Sequence, residues 1–280
     1  GAPGAIAQQF TRLLFGDASA LRSTLGMDPW ASPYHFNPLD INPLRQLLDQ
    51  EIDFDALAAP GAPRVFVSAT QVRTGRAEIF HGERLTLQAV MASACIPTMF
   101  QAVEIEGEPY WDGGYSANPA LLPLIERCES ADIVLVQLNP LARVETPRTP
   151  FEIEQRMAEL AFNASLLSQM RSIDFINQLL ADGRLQEGAQ YRKLLLHRLD
   201  VDNASHAPLS AASKMSADIR MIETLFESGR AAALDWLAQN FDALGRRSTI
   251  DIQQDYVAGT MTTPLAPLTP PASEKPSKRA

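Results

Sequence analysis

Cysteine is nearly absent from this 280-residue chain: Cys95 and Cys128 are its only two. Two thiols build neither a disulfide framework nor a cysteine metal cluster. Histidine is also scarce. His35, His81, His197 and His206 stand far apart and show no ligand spacing of the H-E-x-x-H kind. No metal and no other cofactor is therefore expected. Positive charge is in deficit, with 24 Lys and Arg against 33 Asp and Glu and a net charge of -9. A phosphate-backbone binder needs a basic face, so no nucleic-acid partner is expected. No run approaches the roughly 18 apolar residues of a membrane-spanning helix. The opening Gly1-Ala2-Pro3-Gly4 has neither an initiator Met nor the basic, apolar, small order of a signal peptide. These absences lead us to expect a soluble protein of a reducing compartment, cytoplasmic, with membrane-surface association left open because an apolar patch can meet a neutral interface. They also suggest a chain that begins in the middle of something. Hydrophobic residues make up 46% and charged residues 20%. Those are ordinary globular values, in a chain long enough to bury a substantial core.

Residues 5–15 space Ile6, Phe10, Leu13 and Leu14 as a short helix. From Gly26 to Pro43 four prolines alternate with Trp30, Tyr34 and Phe36, a density that predicts an irregular loop. Its aromatics suit an acyl-chain entry flap or, as the simpler reading, rest on the core. Asn42-Pro43 predicts an N-cap and first helical position. Arg64–Thr70 and Ala77–Phe80 alternate as strands joined through Thr74-Gly75-Arg76. Thr86 caps a helix to Ala94, and Val103–Glu106 turns through Gly107-Glu108 into Pro109-Tyr110-Trp111 as a hairpin. Asn118-Pro119 repeats the cap-plus-proline signature for a helix through Leu121, Leu122 and Ile125.

The unbroken apolar run Ile133–Val136 predicts a strand of a parallel sheet, buried on both faces. Thr149-Pro150-Phe151-Glu152 is a capping box opening a helix to about Ala181, with Ile153, Met157, Leu160, Ala164 and Leu167 stepping along one face. Lys193–Leu199 is a further strand. Helices over 211–228 and 231–243 follow, stopped by Gly229 and Gly245. The Pro-rich residues 257–280 read as a disordered tail. Strands alternating with helices make the class α/β.

The most chemically suggestive stretch is Tyr110-Trp111-Asp112-Gly113-Gly114, between a strand end and the next helix. Open α/β sheets place their sites at such ends. Two glycines permit positive φ or the close approach of another backbone. Asp-Gly is equally a common turn dipeptide, so these five residues alone leave a plain turn in front.

The wider pattern changes that balance. Ala92-Ser93-Ala94-Cys95-Ile96-Pro97 precedes Asp112-Gly113-Gly114, with 15 residues from the proline to the aspartate. An A-S-x-A-x-P segment followed by D-G-G resembles the second catalytic block of the patatin-like phospholipase family. Phe162–Leu167, Leu209–Lys214 and Gly245–Thr249 are similar to a bacterial branch of that family, and the resemblance covers roughly residues 40–252. It implies a three-layer α/β/α hydrolase. In that family a serine on a G-x-S-x-G elbow attacks the ester, a glycine-rich loop holds the oxyanion, and the D-G-G aspartate takes the serine proton without a histidine. By that resemblance Asp112 is the catalytic base of a Ser–Asp dyad, while Gly113 and Gly114 support its turn. The substrate implied is a lipid or other acyl ester. A hydroxyl needs such a base, and a carboxylate needs desolvation to serve as one.

The chain departs from the pattern in lacking G-x-S-x-G. Gly114-Tyr115-Ser116-Ala117-Asn118 fails at its last position and lies too close to Asp112 to be the elbow, and Ser93 falls in a segment where the family's serine is structural. The oxyanion glycine run is missing too. The expectation is a fragment lacking its first strands, on the order of 90 residues at ordinary domain sizes. It comprises one partial acyl-hydrolase domain over 1–256, with a helical extension at about 150–245, and is itself inactive. The alternative is a non-catalytic lipid-binding or regulatory remnant. A third reading, Asp112 in other acid–base chemistry, has no second acid near it in sequence to support it. Cys95 reads as a small buried hydrophobe. His81 and His197 read as polar strand-end residues.

Overall fold

A computed structural model describes residues 32–138, 141–143, 146–188, 191–200 and 219–257. The predicted helix at 5–15, the start of the proline-rich loop with Trp30, residues 211–218 and the Pro-rich tail lie outside them. Strand β1 (Phe66–Gln71) is the centre of an antiparallel sheet ordered β2-β1-β4-β3, with β2 Ala77–His81, β3 Val103–Ile105 and β4 Glu108–Asp112. Helix α4 (Leu87–Ser93) covers one face, and Ala69, Phe80, Ala89, Ala92 and Tyr110 close a core beneath it. Ahead of the sheet lie α1 (Pro33–Phe36), α2 (Pro43–Glu51) and α3 (Phe54–Ala58).

A second, two-stranded sheet pairs β5 (Asp132–Gln137) with β6 (Leu195–Asp200) in parallel. Parallel neighbours require a crossover, and α6 (Pro150–Ala181) supplies it. Leu166, Met170 and Ile173 of α6 meet Ile133, Leu135 and Leu196 of the strands, sealed by Ile252 and Tyr256. Helix α5 (Leu122–Arg127) links the two sheets, and α7 (Ile219–Asn240) follows β6. The architecture is mixed α/β, as the alternation of elements implies. Among the described residues, no helix is long and apolar enough to cross a membrane.

Local chemistry accounts for most element ends. Asn42 Oδ1 accepts from Leu44 N at 3.1 Å, and Thr86 Oγ1 from Ala89 N at 3.2 Å. The capping box is complete: Glu152 N donates to Thr149 Oγ1 at 3.2 Å and Thr149 N to Glu152 Oε2 at 3.0 Å. Gly183 ends α6 at φ +68°.

Several expectations are corrected. The proline-rich loop holds a one-turn helix at Pro33–Phe36, because proline is welcome in a first turn. The β3–β4 turn is Glu106-Gly107, one residue earlier than expected. Both have positive φ (54° and 80°), which matches the twist of a two-residue hairpin. Helix α5 starts at Leu122 rather than Pro119, because Gln169 takes Leu121 N and Pro119 O with its side chain. Strand β5 is parallel but covered on one face only: Ile133 and Leu135 are buried, Val134 and Val136 exposed. The inward face of α6 runs Glu159, Asn163, Leu166, Met170 and Ile173, while Ile153, Met157 and Leu160 face solvent. Gly229 does not break the C-terminal helix, since α7 runs straight through it. A helical glycine costs only about 1 kcal/mol against alanine.

Thr149→Ala removes one half of the capping box. We expect a loss of about 1 kcal/mol, read as a lower urea midpoint at unchanged slope.

Candidate functional site

Asp112 is the last residue of β4, and β1 fixes it there. The register pairs Ala69 with Asp112 and Thr70 with Trp111. The Asp112 backbone N–H donates to Cys95 O at 2.8 Å, and its carbonyl accepts from Thr70 Oγ1 at 2.8 Å. The side chain curls over the turn so that Oδ1 accepts from Gly114 N at 2.7 Å. Both ends of the residue and one carboxylate oxygen are thus committed, which sets the direction of the other oxygen. The turn continues as a 3-10 segment, Gly113–Tyr115.

The two glycines serve space rather than unusual dihedrals: neither has positive φ. A Cβ on Gly113 would stand 2.1 Å from Ser68 O and 2.3 Å from its Oγ, a backbone that cannot retreat. A Cβ on Gly114 would stand 2.3 Å from the Phe162 ring. The same ring rests against Tyr115 at 5.5 Å between centroids, so α6 forms the lid of the turn. On the far side Ser68 Oγ donates to Ala117 O at 3.0 Å.

Asp112 is half-buried, and burial pushes its carboxyl above the ordinary carboxylate range, against the opposing pull of the Gly114 N–H. That is the direction a proton acceptor needs. Burial, with the Asp112 charge second, likewise raises the Tyr115 phenol. The Cys95 thiol is pushed up to about 11, chiefly by burial, and donates to Gln101 O at 3.1 Å. It is the inert buried group the sequence suggested.

Neither candidate serine reaches the Asp112 carboxylate. Ser93 Oγ donates to Val90 O at 2.8 Å, inside its own helix. Ser116 Oγ lies 2.7 Å from Thr70 Oγ1. A hydroxyl has a single proton, and Thr70 spends its own on Asp112 O, so Ser116 donates to Thr70. A cleft of about 730 Å³ runs beside the turn, lined in part by Ser116, Ala117, Arg84, Glu126 and Gln169, but not by Asp112.

Sequence reasoning missed the arrangement around His197. This residue is not at a strand end; it is the third residue of β6 and fully buried. Its Nε2 lies 2.9 Å from Asp132 Oδ1 and its Nδ1 3.2 Å from Thr249 Oγ1. Asp132 Oδ1 also accepts from Gly245 N at 2.9 Å. That backbone bond first, and His197 after it, hold the Asp132 carboxyl below its usual range. Asp132 and His197 lie 65 residues apart, so only the parallel register brings them together. The network ties the Gly245–Thr249 loop to the second sheet, away from Asp112. His81 does end β2 and packs against Phe66 with ring centroids 5.3 Å apart and planes tilted by 44°. Among the described residues no cluster of His, Cys, Asp and Glu could hold a metal ion.

Gly113→Ala should cost about 3 kcal/mol through overpacking, seen as a lower denaturant midpoint. Asp112→Asn keeps the Oδ1 acceptor and removes a desolvated charge. A raised carboxyl makes the folded state lose stability as pH rises through its pKa. The variant should therefore melt above the wild type at pH 7, and the difference should vanish below about pH 4. Asp132 has the opposite sign, its stabilisation being present at neutral pH and lost as pH falls through its depressed pKa. Asp132→Ala leaves a buried ring nitrogen without its acceptor, and should cost about 2 kcal/mol at pH 7 and less in acid.

Two comparisons bear on what this site is. The family model described as patatin-like phospholipase matches residues 4–125, starting ahead of the span drawn from the motifs and ending before α6. No curated protein matches the chain. The matched stretch contains β1 to β4, the A-S-x-A-x-P segment and Asp112-Gly113-Gly114. Over residues 4–125 this chain is thus similar to the patatin-like phospholipases.

Proposed function

We propose that the chain is the base-bearing part of a Ser–Asp acyl hydrolase acting on lipid or other carboxylic esters, with Asp112 as the general base. The observation that carries this reading is the state of that carboxylate. It is desolvated, pushed up in pKa, and anchored through one oxygen to Gly114 N. The other oxygen is the one to accept the proton of an attacking serine. That proton transfer lets the hydroxyl oxygen add to the ester carbonyl without a histidine between them. Residues 1–256 then form one acyl-hydrolase unit with its helical extension.

The nucleophile is not supplied by Ser93 or Ser116, whose hydroxyls are turned to Val90 and Thr70. No G-x-S-x-G occurs in the 280 residues. The chain by itself is accordingly inactive on esters, and activity requires a serine and an oxyanion loop from outside this stretch. An alternative, favoured by that same missing motif, is a non-catalytic lipid-binding remnant in which Asp112 keeps only its structural bonds. Transient contact with a membrane surface fits either reading.

The purified 280-residue chain should turn over no p-nitrophenyl butyrate. A form of the protein that carries G-x-S-x-G ahead of this stretch should hydrolyse it, and Asp112→Asn should lower kcat there at least about a thousandfold, with unchanged circular dichroism. Activity that survives Asp112→Asn would remove Asp112 from the mechanism. A serine-bearing form that binds vesicles yet shows no turnover would favour the remnant.

A further inference from the structure

We propose that the closed loop Asn37–Ile41, with Tyr34 beside it, is the tip by which this chain seats on a zwitterionic lipid surface. The inference rests on the reading of the chain as part of a protein that handles lipid esters, and it names the element that meets the bilayer. A single side chain holds the loop shut. Asn37 Oδ1 accepts from Ile41 N at 2.9 Å, and Asn37 Nδ2 donates to Ile41 O at 3.1 Å. Asp40 N donates to Asn37 O at 3.0 Å, and a left-handed backbone at Asp40 (φ 48°) lets the chain double back. Aspartate tolerates that conformation better than most residues with a β-carbon.

The polar side chains of the loop are spent on backbone, and the loop is tied to the body through Gln101. Gln101 Nε2 donates to Asn37 O at 2.8 Å, and the Gln101 N–H donates to the Asp40 carboxylate. The Tyr34 hydroxyl also faces the body, accepting from Ala102 N at 3.3 Å. What is left outside is apolar: Leu39 exposes 81% of its surface, Tyr34 57% and Ile41 56%. A loop in water ordinarily gives its Asn and Asp to solvent and tucks its leucine in. The inverse arrangement suits the boundary between headgroups and acyl chains, where apolar side chains enter and backbone groups need partners of their own. Pro38 brings no N–H, and those of Asp40 and Ile41 are paired within the loop.

Area and charge select lipid as the occupant. The three side chains offer on the order of 300 Å². An ordinary protein interface needs about 800 Å² from each partner, so the tip is too small to hold a second copy. Arg45 stands close enough to Asp40 to favour its ionised form, and the two charges offset each other beside the tip. The chain as a whole carries -9, which an anionic surface repels and a zwitterionic one does not. The tip is also continuous with the site. Gln101 O accepts from Cys95 Sγ at 3.1 Å, and Cys95 O accepts from Asp112 N at 2.8 Å. A chain seated through Leu39 thus holds the D-G-G turn two hydrogen-bonded residues from the surface that supplies the ester.

The test reads partition onto vesicles by the 280-residue chain, which turns over no ester, and so stands apart from the role of Asp112. The chain should sediment with phosphatidylcholine vesicles, and replacing part of that lipid with phosphatidylserine should weaken the partition. Leu39→Asp should lower it at least about tenfold, with unchanged circular dichroism because the position is exposed. Leu39→Trp should keep it, with emission shifting to the blue on binding. Asn37→Ala, which opens the loop and leaves Leu39 in place, should lower it severalfold. Phe226→Asp, on the exposed side of α7, should leave it unchanged. A chain that does not sediment with phosphatidylcholine overturns the proposal, as does binding indifferent to Leu39→Asp or lost as Phe226→Asp. Binding that requires phosphatidylserine overturns the zwitterionic assignment, and binding indifferent to Asn37→Ala overturns the role of loop closure.

Discussion

The contact between β1 and the end of β4 is the constraint on which the site rests. Ser68 and Thr70 alternate with Ala69 along β1, so their hydroxyls share one side of the strand while Ala69 enters the core. One hydroxyl holds the carbonyl of Asp112, the other the carbonyl of Ala117, and between them Gly113 lies against the strand with no room for a side chain. The turn that carries the carboxylate is thus clamped at both ends by a strand in the middle of its sheet. A loop free in solvent would not hold a base to the tolerance that proton transfer demands.

The clamp also explains how a carboxylate with an ordinary acidity becomes a base. Phe162 of α6 rests against Tyr115 of the turn, and burial raises the cost of ionising Asp112. Among the described residues one N–H, that of Gly114, offsets that cost. A second donor would have made the residue more stable and less basic. Stability and basicity are set against each other at this position, the usual state of a group kept for chemistry.

The second sheet obeys a different logic. Its two strands are held by α6 on one face and by the Asp132–His197–Thr249 chain, with His197 buried at its middle. Buried polar groups of this kind are costly unless every member has a partner, and here both ring nitrogens do. Gln169 of α6 reaches back to Leu121 and Pro119, so the helix that closes the parallel sheet also fixes the segment following Asp112. Both sheets therefore depend on the same helix.

What the sequence determined by itself was local. Asn42, Thr86 and Thr149 announced their helices because a cap is an interaction within four residues. The hairpin, the strands and the D-G-G turn were legible for the same reason, and the segment from Ala92 to Gly114 was enough to indicate the resemblance that the family model repeats over residues 4–125. Tertiary structure decided everything that depends on which neighbour covers a face. The stripe from Ile153 to Leu160 had the right period for a core and faces water, because Glu159 and Asn163 one step round the helix are the ones packed inward. Val134 and Val136 read as buried and are not, for want of a second layer over β5 among the described residues. The pairing of Asp132 with His197 across 65 residues, and the burial that raises Asp112, follow from register and packing. Periodicity specifies that a face is apolar; only the rest of the fold specifies what it meets.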